Sequence, residues 1–278
     1  MKLKELLGAL RCGMQGARIE ESTIESELLV RHALGVNLVE QYLQMEGEVS
    51  PQGEEQAWRL YQRRLLGEPL AYIMGKREFF GRDYYVNQSV LIPRPETELL
   101  VERAAVLASS YSSPVIADVG TGSGAVVISL ASLVPRAIIY AMDISNEALA
   151  VARRNAGRHG LQGKITFLEG DLLSPLPGAA DIITANLPYV RSAEINGNFE
   201  PRLALYGGEA GLDVVSRLCP ELAPKLKPGG SVLLEIGLGQ GEAVRALLAA
   251  ALPGAGISVF PDLAGIERVI QATLPSWD

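Results

Sequence analysis

The tetrapeptide Asn186-Leu187-Pro188-Tyr189 has the residue types to hold a planar nitrogen group. It follows the apolar run 181–185, which predicts a buried strand of a parallel sheet. In open α/β sheets, ligands bind at the carboxyl ends of such strands. The Asn186 side-chain carbonyl and the Leu187 backbone carbonyl can accept two N–H bonds, while an aromatic ring covers the group's face. The same residue types also suit an ordinary strand-to-loop turn. The upstream sequence is therefore needed to distinguish a ligand site from a turn.

A glycine loop lies upstream, between the predicted strand 115–119 and the predicted helix 123–133. Glycines let a backbone take positive φ and approach a ligand closely. The N–H groups at the start of the following helix point toward polar or anionic ligand atoms. The alternative is a tight strand-to-helix turn without a ligand. We predict that this loop binds a cofactor through Asp118, Gly120, Thr121, Gly122, Ser123 and Gly124.

Acidic residues follow the next two predicted strands. Asp143 ends the second strand, where a carboxylate can accept both hydroxyls of a ribose. Asp171 follows the third strand, where an acid can take an exocyclic amine, and Leu172 can pack on an adenine ring. With the glycine loop and Asn186, these residues predict a site for an adenosine-containing ligand.

Two adenosine ligands compete for this site. Gly120, Gly122 and Ala125 fit the dinucleotide fingerprint, and Asp143 would suit NAD. Asp118 would repel a pyrophosphate, but it suits a cationic amine such as that of S-adenosylmethionine. The tetrapeptide has no part in hydride transfer. We therefore predict S-adenosylmethionine as cofactor, with S-adenosylhomocysteine as product, over an NAD-dependent enzyme or a non-catalytic nucleotide-binding regulator.

The elements that must position these residues divide the chain into three predicted regions. Residues 1–75 read as a small helical bundle, either a structural cap or a substrate-recognition domain. Residues 76–90 read as a β-hairpin linker. Residues 91–278 alternate strand and helix, which predicts a mostly parallel sheet covered on both faces. The predicted strands are 115–119, 137–142, 164–168, 180–185, 231–236, 257–260 and 268–272, with helices at 123–133, 146–159, 209–226 and 240–250. No helix separates the last two strands, so one of them should be antiparallel.

Composition excludes several classes of protein. The 278 residues contain two Cys and two His, too few for a disulfide framework or a multi-histidine metal site. No apolar run has the roughly 18 residues needed to span a membrane, and no signal sequence is evident. We expect a cytoplasmic monomer. The net charge of −7 disfavours nucleic acid as a partner and suits a basic protein.

Taken together, the motifs resemble class I S-adenosylmethionine-dependent methyltransferases that methylate amino groups. They resemble one family most closely, the release factor glutamine methyltransferases, known as PrmC or HemK. Besides the glycine loop, Asp143, Asp171 and the tetrapeptide, the segments that carry this resemblance are 92–98, 199–201, 204–213 and 262–269. The resemblance covers essentially the whole chain.

This resemblance implies a fold and a substrate. The fold is a Rossmann-like, seven-stranded, mostly parallel sheet preceded by a small helical domain that helps recognise the substrate. The substrate is the glutamine of the Gly-Gly-Gln motif in class-1 peptide chain release factors, methylated on its side-chain amide nitrogen. The family motif is usually Asn-Pro-Pro-Tyr, and Leu187 replaces the first Pro. Leu keeps the backbone carbonyl, although it loses the fixed φ of proline.

Catalysis by orientation is the mechanism that we expect. Asn186 and Leu187 would accept the two N–H bonds of the substrate amide, Tyr189 would pack on its plane, and Pro188 would hold the loop. Two alternatives share most of these motifs: a glutamine methyltransferase acting on a ribosomal protein, and a nucleic-acid amine methyltransferase.

Overall fold

The computed structural model describes residues 1–195 and 199–276. The chain divides into two compact units, Met1–Gly75 and Lys76–Asp278. No helix in the described residues is long and apolar enough to cross a membrane.

The N-terminal unit is built from helices. Its helices are α1 (Leu3–Gly16), α2 (Ser22–Leu34), α3 (Leu38–Leu43), α4 (Pro51–Leu65) and α5 (Leu70–Met74). Leu3, Leu6 and Leu10 recur at helical spacing along α1, and all three are buried in one core with residues of α2 and α4. The side chains of Asn37 and Ser50 cap α3 and α4, because each accepts a backbone N–H from the first turn.

The C-terminal unit begins with a short hairpin, and a seven-stranded sheet follows. The hairpin strands are β1 (Arg77–Phe79) and β2 (Arg82–Tyr84). The sheet strands are β3 (Val115–Val119), β4 (Ile138–Asp143), β5 (Ile165–Glu169), β6 (Ala180–Ala185), β7 (Leu226–Glu235), β8 (Gly256–Pro261) and β9 (Glu267–Thr273). The helices are α6 (Glu98–Ala108), α7 (Ala125–Leu133), α8 (Asn146–Arg158), α9 (Arg202–Leu205), α10 (Asp213–Lys225) and α11 (Gly241–Ala251), with 3₁₀ turns at Pro95–Thr97 and Ser192–Glu194.

The strand order is β5-β4-β3-β6-β7-β9-β8. Only β9 runs against the others, which confirms the prediction that one of the last two strands is antiparallel. From β3 the chain adds β4 and β5 on one side, and it then returns to add β6 and β7 on the other side of β3. The direction of strand order therefore reverses beside β3, and a crevice opens there at the carboxyl ends of the strands. This topology places the ends of β3, β4, β5 and β6 around one site.

The sheet is covered on both faces, as its apolar strands require. Successive strand residues point to opposite faces. Ile182 therefore packs in the core that contains α6 and α7, while Ile183 packs in the core that contains α10 and α11. The result is a three-layer sandwich with the sheet in the middle.

Two predicted boundaries around α10 were wrong. The helix expected over 209–226 begins only at Asp213, because Gly208 and Gly211 have φ of +91° and +74°, outside the helical region. The segment 228–230, expected to close that helix, belongs to β7 instead. Ala180 pairs with Leu226 and Ile182 with Ser231, so the extra residues of β7 form a bulge there.

Candidate active site

A cavity of about 340 Å³ opens at the carboxyl ends of the parallel strands. This volume lies in the range of small-molecule sites. The predicted site residues that line it are Asp118, Gly120, Thr121, Gly122, Ser123, Asp143, Asp171, Leu172, Asn186, Leu187 and Pro188. Two predicted site residues do not line it, Gly124 and Tyr189. The strand ends therefore bring together residues that are up to 70 positions apart in the chain.

The glycine loop takes the backbone conformation that its glycines permit. Gly120, Gly122 and Gly124 have φ of +71°, +54° and +81°. A Cβ on Gly120 would lie 3.3 Å from Leu187 Cδ2, so the glycine loop abuts the tetrapeptide. A Cβ on Gly124 would lie 2.9 Å from Ile128 Cδ1. Gly124 thus serves the packing of the loop on its helices rather than the cavity wall.

Asp143, at the end of β4, is held by backbone N–H groups. Its Oδ2 accepts from Gly122 N and its Oδ1 from Ser145 N, both at 2.9 Å. Burial raises the pKa of Asp143, and these N–H bonds oppose the shift. Each carboxylate oxygen keeps a further lone pair, so Asp143 can accept additional hydroxyl donors from a ligand in the cavity.

Asp118 is the most deeply buried acid of the site, with 2% of its surface exposed. Its Oδ1 accepts from Thr184 Oγ1 at 2.7 Å. Its Oδ2 has no hydrogen-bond partner in the described part of the chain. Burial raises the pKa of Asp118 to about 6, against the lowering effect of the Thr121 and Thr184 hydroxyls. An unpaired buried carboxylate oxygen favours a cationic or donating ligand atom.

The acid after β5 is already paired. Asp171 Oδ2 forms an ion pair with Arg217, on α10. Leu172, the next residue, has φ of +48° and 7% exposure, and it lines the cavity. This left-handed backbone is uncommon for a branched side chain. It points to a conformation imposed by the surroundings.

The Asn186 side chain has a defined orientation. Its Nδ2 donates to Thr97 Oγ1 at 3.1 Å, while no described donor bonds to its Oδ1. Because the NH2 group is engaged, the carbonyl oxygen is the end left available to a ligand. Leu187 is 9% exposed and packs in the core beneath the site, which holds the backbone of the tetrapeptide in place.

Tyr189 lies in a neighbouring small cavity that Glu235 and Gln240 also line. Its hydroxyl donates to Glu235 Oε1 at 3.2 Å, and its backbone carbonyl accepts from Gln240 Nε2 at 3.2 Å. Burial is the largest cause that raises the pKa of Tyr189, followed by the charge of Glu235. The phenol therefore stays a neutral donor at physiological pH.

Sequence reasoning missed four polar residues around this site: Thr97, Arg94, Arg217 and Glu235. Thr97 and Arg94 lie in the segment 92–98, which the family resemblance included but to which no role was given. Arg94 lines the cavity and pairs with Glu200 at 2.5 Å. Glu235 ends β7, so the rule that ligands bind at strand ends could have found it. Nothing local indicates Arg217, because it meets Asp171 only in the folded chain.

Across residues 1–195 and 199–276, no group of three or more His, Cys, Asp or Glu side chains is arranged to hold a metal ion.

Comparisons with known proteins agree with this geometry. A family model described as the PrmC N-terminal domain matches residues 5–75, and one described as the methyltransferase small domain matches residues 95–205. A release factor glutamine methyltransferase of Moorella thermoacetica is 40% identical and covers 98% of both chains. One of Neisseria gonorrhoeae is 42% identical over 88% of this chain and 91% of its own length. The chain belongs to the release factor glutamine methyltransferase family.

This membership confirms the family that the sequence motifs predicted. A solved methyltransferase from Pyrococcus furiosus shares the fold, with 17% identity and a TM-score of 0.53 over 80% of this chain and 98% of the other. The predicted fold class, a class I methyltransferase with a seven-stranded, mostly parallel sheet and an N-terminal helical unit, is confirmed as well. As a member of this family, the protein is a methyltransferase.

Proposed function

We propose that this protein transfers the methyl group of S-adenosylmethionine to the side-chain amide nitrogen of the Gly-Gly-Gln glutamine in class-1 peptide chain release factors. The observation that carries the proposal is the orientation of Asn186. Its NH2 group is bound to Thr97, its carbonyl oxygen has no described donor, and the residue lines the cavity that the glycine loop also lines. An acceptor in that position suits the N–H bonds of a substrate amide.

The cavity residues fit S-adenosylmethionine by their chemistry. The unpaired Oδ2 of Asp118 suits an ammonium group. Asp143 keeps acceptor capacity for ribose hydroxyls, and Leu172 offers an apolar surface for a purine. The glycines of the loop have positive φ and carry no side chain, so the backbone can approach a ligand closely. Asp171 Oδ2 is paired with Arg217, so we assign Oδ1 as the acceptor for the exocyclic amine.

When bound, S-adenosylmethionine supplies an electrophilic methyl group on a sulfonium. The task of this chain is to orient a weak nucleophile, because the lone pair of an amide nitrogen is delocalised. Asn186 Oδ1 and the Leu187 carbonyl accept the two N–H bonds and aim the nitrogen. Pro188 restricts the loop, and Tyr189 flanks the amide from the adjoining cavity. Such positioning can supply several kcal/mol of the barrier reduction.

The N-terminal unit and the net charge support a protein substrate as the partner. We assign the helical residues 1–75 to recognition of the release factor, residues 76–90 to a linking hairpin, and 91–278 to catalysis. A net charge of −7 favours a substrate with a basic face over nucleic acid. We propose that the protein acts as a monomer in the cytoplasm, where release factors work.

Mass spectrometry of a purified release factor tests this proposal. The release factor is incubated with the protein and S-adenosylmethionine, digested, and mapped. We expect one added methyl on the Gly-Gly-Gln glutamine and none on a release factor in which that glutamine is replaced by alanine. Absence of the methyl, with S-adenosylmethionine still bound, would overturn the substrate and direct the search to ribosomal proteins and then RNA.

A further inference from the structure

A buried glutamine lies on the side of the tetrapeptide that faces away from the larger cavity. Leu187 and Pro188 line both the larger cavity and the small one, so the tetrapeptide stands between the two. Gln240 lines only the small cavity. It directly precedes α11 and is 5% exposed. The proposed mechanism has so far given Gln240 no part.

The side-chain amide of Gln240 is bonded entirely to backbone atoms. Its Oε1 accepts from Gly237 N at 2.8 Å. Its Nε2 donates to Tyr189 O at 3.2 Å and to Gly211 O at 3.1 Å, which uses both hydrogens of the NH2 group. One donor and two acceptors around the amide permit a single orientation. Gln240 therefore joins the end of the tetrapeptide to the turn before α10 and to the loop after β7.

The turn before α10 also contacts the tetrapeptide directly. A Cβ on Gly207 would lie 2.6 Å from Pro188 O, and one on Gly211 would lie closer still to Tyr189 O. Side chains do not fit at such distances, so both positions need glycine for the turn to reach the tetrapeptide. Gly207 N in addition donates to Val190 O at 2.9 Å. The turn thus packs against the backbone of Pro188 and Tyr189, and Gln240 holds the two together.

A fixed backbone matters because the proposed mechanism works by orientation. Asn186 Oδ1 and the Leu187 carbonyl must both stand where the substrate N–H bonds point. Leu187 has no ring to restrict its φ, as a proline would. The contacts at Pro188 and Tyr189 restrict the chain immediately after it. Because a misplacement of about 1 Å can cost about 100-fold in rate, loss of these contacts should be visible in turnover.

We propose that Gln240 is a positioning residue that fixes the tetrapeptide by holding the Tyr189 carbonyl against the turn before α10. This inference rests on the proposed roles of Asn186 and Leu187 toward the substrate amide. It predicts that the two N–H bonds that Gln240 donates, rather than its volume, matter for turnover.

Gln240→Glu is the decisive variant because it keeps the size of the side chain. An ionised carboxylate can still accept from Gly237 N, but it has no hydrogen to donate to Tyr189 or Gly211. We expect kcat to fall about 10- to 100-fold. The Kd of S-adenosylmethionine and the KM for the release factor should each change less than about threefold, since Gln240 does not line the larger cavity. Gln240→Met, which cannot donate in any protonation state, should lower kcat by a similar factor.

A matched control separates positioning from a general loss of stability. Gln271 lies on β9 of the same sheet, away from both cavities, and donates to Thr273 Oγ1 at 3.0 Å. Gln271→Met should therefore leave kcat, KM and Kd unchanged. Each kcat is expressed per cofactor-binding site, counted by calorimetry, so that unfolded protein does not lower the value.

Gly207→Ala disturbs the same contact from the opposite partner. Gly207 is not among the glycines with positive φ, so its added Cβ acts only through the contact with Pro188. We expect kcat to fall at least about 10-fold, with the Kd of S-adenosylmethionine within about threefold of the wild type. Gly178→Ala is its control, because a Cβ there would meet open space, and it should behave as the wild type.

Hydrogen exchange reads the position of the tetrapeptide without any substrate. Val190 N donates to Leu205 O at 2.9 Å, and Gly207 N donates to Val190 O, so both amides report on the contact between the tetrapeptide and the turn. Mass spectrometry should show these amides exchanging at least about 10-fold faster in Gln240→Glu and Gln240→Met. Gln271→Met should exchange there as the wild type does. Thermal melts confirm that each variant is folded.

The outcomes distinguish this inference from the proposed function. Wild-type kcat, or unchanged exchange at Val190 and Gly207, in folded Gln240→Glu and Gln240→Met would overturn the positioning role. A wild-type protein that methylates no release factor would overturn the proposed substrate, while the exchange comparison would still test whether Gln240 holds the tetrapeptide.

Discussion

The backbone N–H of Gly122 donates to Asp143 Oδ2 at 2.9 Å, and this bond joins the glycine loop after β3 to the end of β4. The carboxylate that we assign to the ribose therefore also shapes the loop to which we assign the rest of the cofactor. Its second oxygen accepts from Ser145 N, which fixes the rotamer. In the proposed binding mode, Asp143 thus acts on the cofactor twice, as a direct acceptor and as a support for the loop.

Asp143→Ala should weaken S-adenosylmethionine binding by tenfold or more, since it removes charge-assisted hydrogen bonds of about 1.5–3 kcal/mol. Isothermal titration calorimetry measures this directly. Asp83→Ala is a suitable control, because Asp83 lies in an exposed ion pair with Lys76, and it should leave the Kd unchanged. An unaltered affinity in Asp143→Ala would contradict the ribose assignment.

Asn186→Ala should separate turnover from cofactor binding. Removing the acceptor that aims the substrate amide should lower kcat about 100-fold or more. Binding of S-adenosylmethionine should be largely kept, because Asp118, Asp143 and the glycine loop remain. Single-turnover kinetics with a release factor, beside calorimetry of the cofactor, provide both values. Turnover equal to the wild type would remove Asn186 from the mechanism.

The pKa of Asp118, raised to about 6 by burial, predicts that cofactor affinity depends on pH. Below about pH 6 the carboxyl group is neutral and no longer attracts an ammonium group. The Kd of S-adenosylmethionine should therefore rise about tenfold between pH 7 and pH 5. Titrations at constant ionic strength measure this change, and Asp118→Asn should give weaker binding with a flatter pH profile. A flat wild-type profile would exclude the ionised Asp118 as a partner.

The same raised pKa affects the stability of the cofactor-free protein in the opposite direction. At pH values between the ordinary pKa of an aspartate, 3.8, and the raised pKa of about 6, the folded state binds more protons at Asp118 than the unfolded state does. The contribution of this group to stability therefore falls as the pH rises through that window. Asp118→Asn should accordingly raise the Tm at pH 7 relative to the wild type, as differential scanning calorimetry can test.

Gly124→Ala should destabilise the C-terminal unit by about 1–3 kcal/mol. The residue has φ of +81°, and a Cβ there would lie 2.9 Å from Ile128 Cδ1 and 3.2 Å from Ala152 Cβ. Gly157→Ala is the matched control, because it lies within α8 with no atom near its added Cβ. That control should stabilise by about 0.5–1 kcal/mol. Urea denaturation compares the two, and equal midpoints would contradict the steric argument.

Much of the fold was predictable because it depends on local patterns. Apolar runs such as 181–185 indicated strands, and all seven sheet strands were found. The boundaries of α10 were not predicted correctly, because the positive φ at Gly208 and the bulge in β7 depend on neighbours outside the segment. The short helices α5 and α9 were also missed, as one turn has too little periodicity to detect.

The sequence by itself determined the family and the alternation of strands and helices, and it predicted site residues at the strand ends. These features depend on contiguous motifs, and the backbone conformation that each motif needs is set by residues within the motif. Only the tertiary structure decided which side chains meet: Thr97 with Asn186, 89 positions away, Tyr189 with Glu235, and Asp171 with Arg217. The reason is physical. Strand order and side-chain orientation follow from packing of the whole sheet, and a hydrogen-bond partner distant in the chain leaves no local pattern.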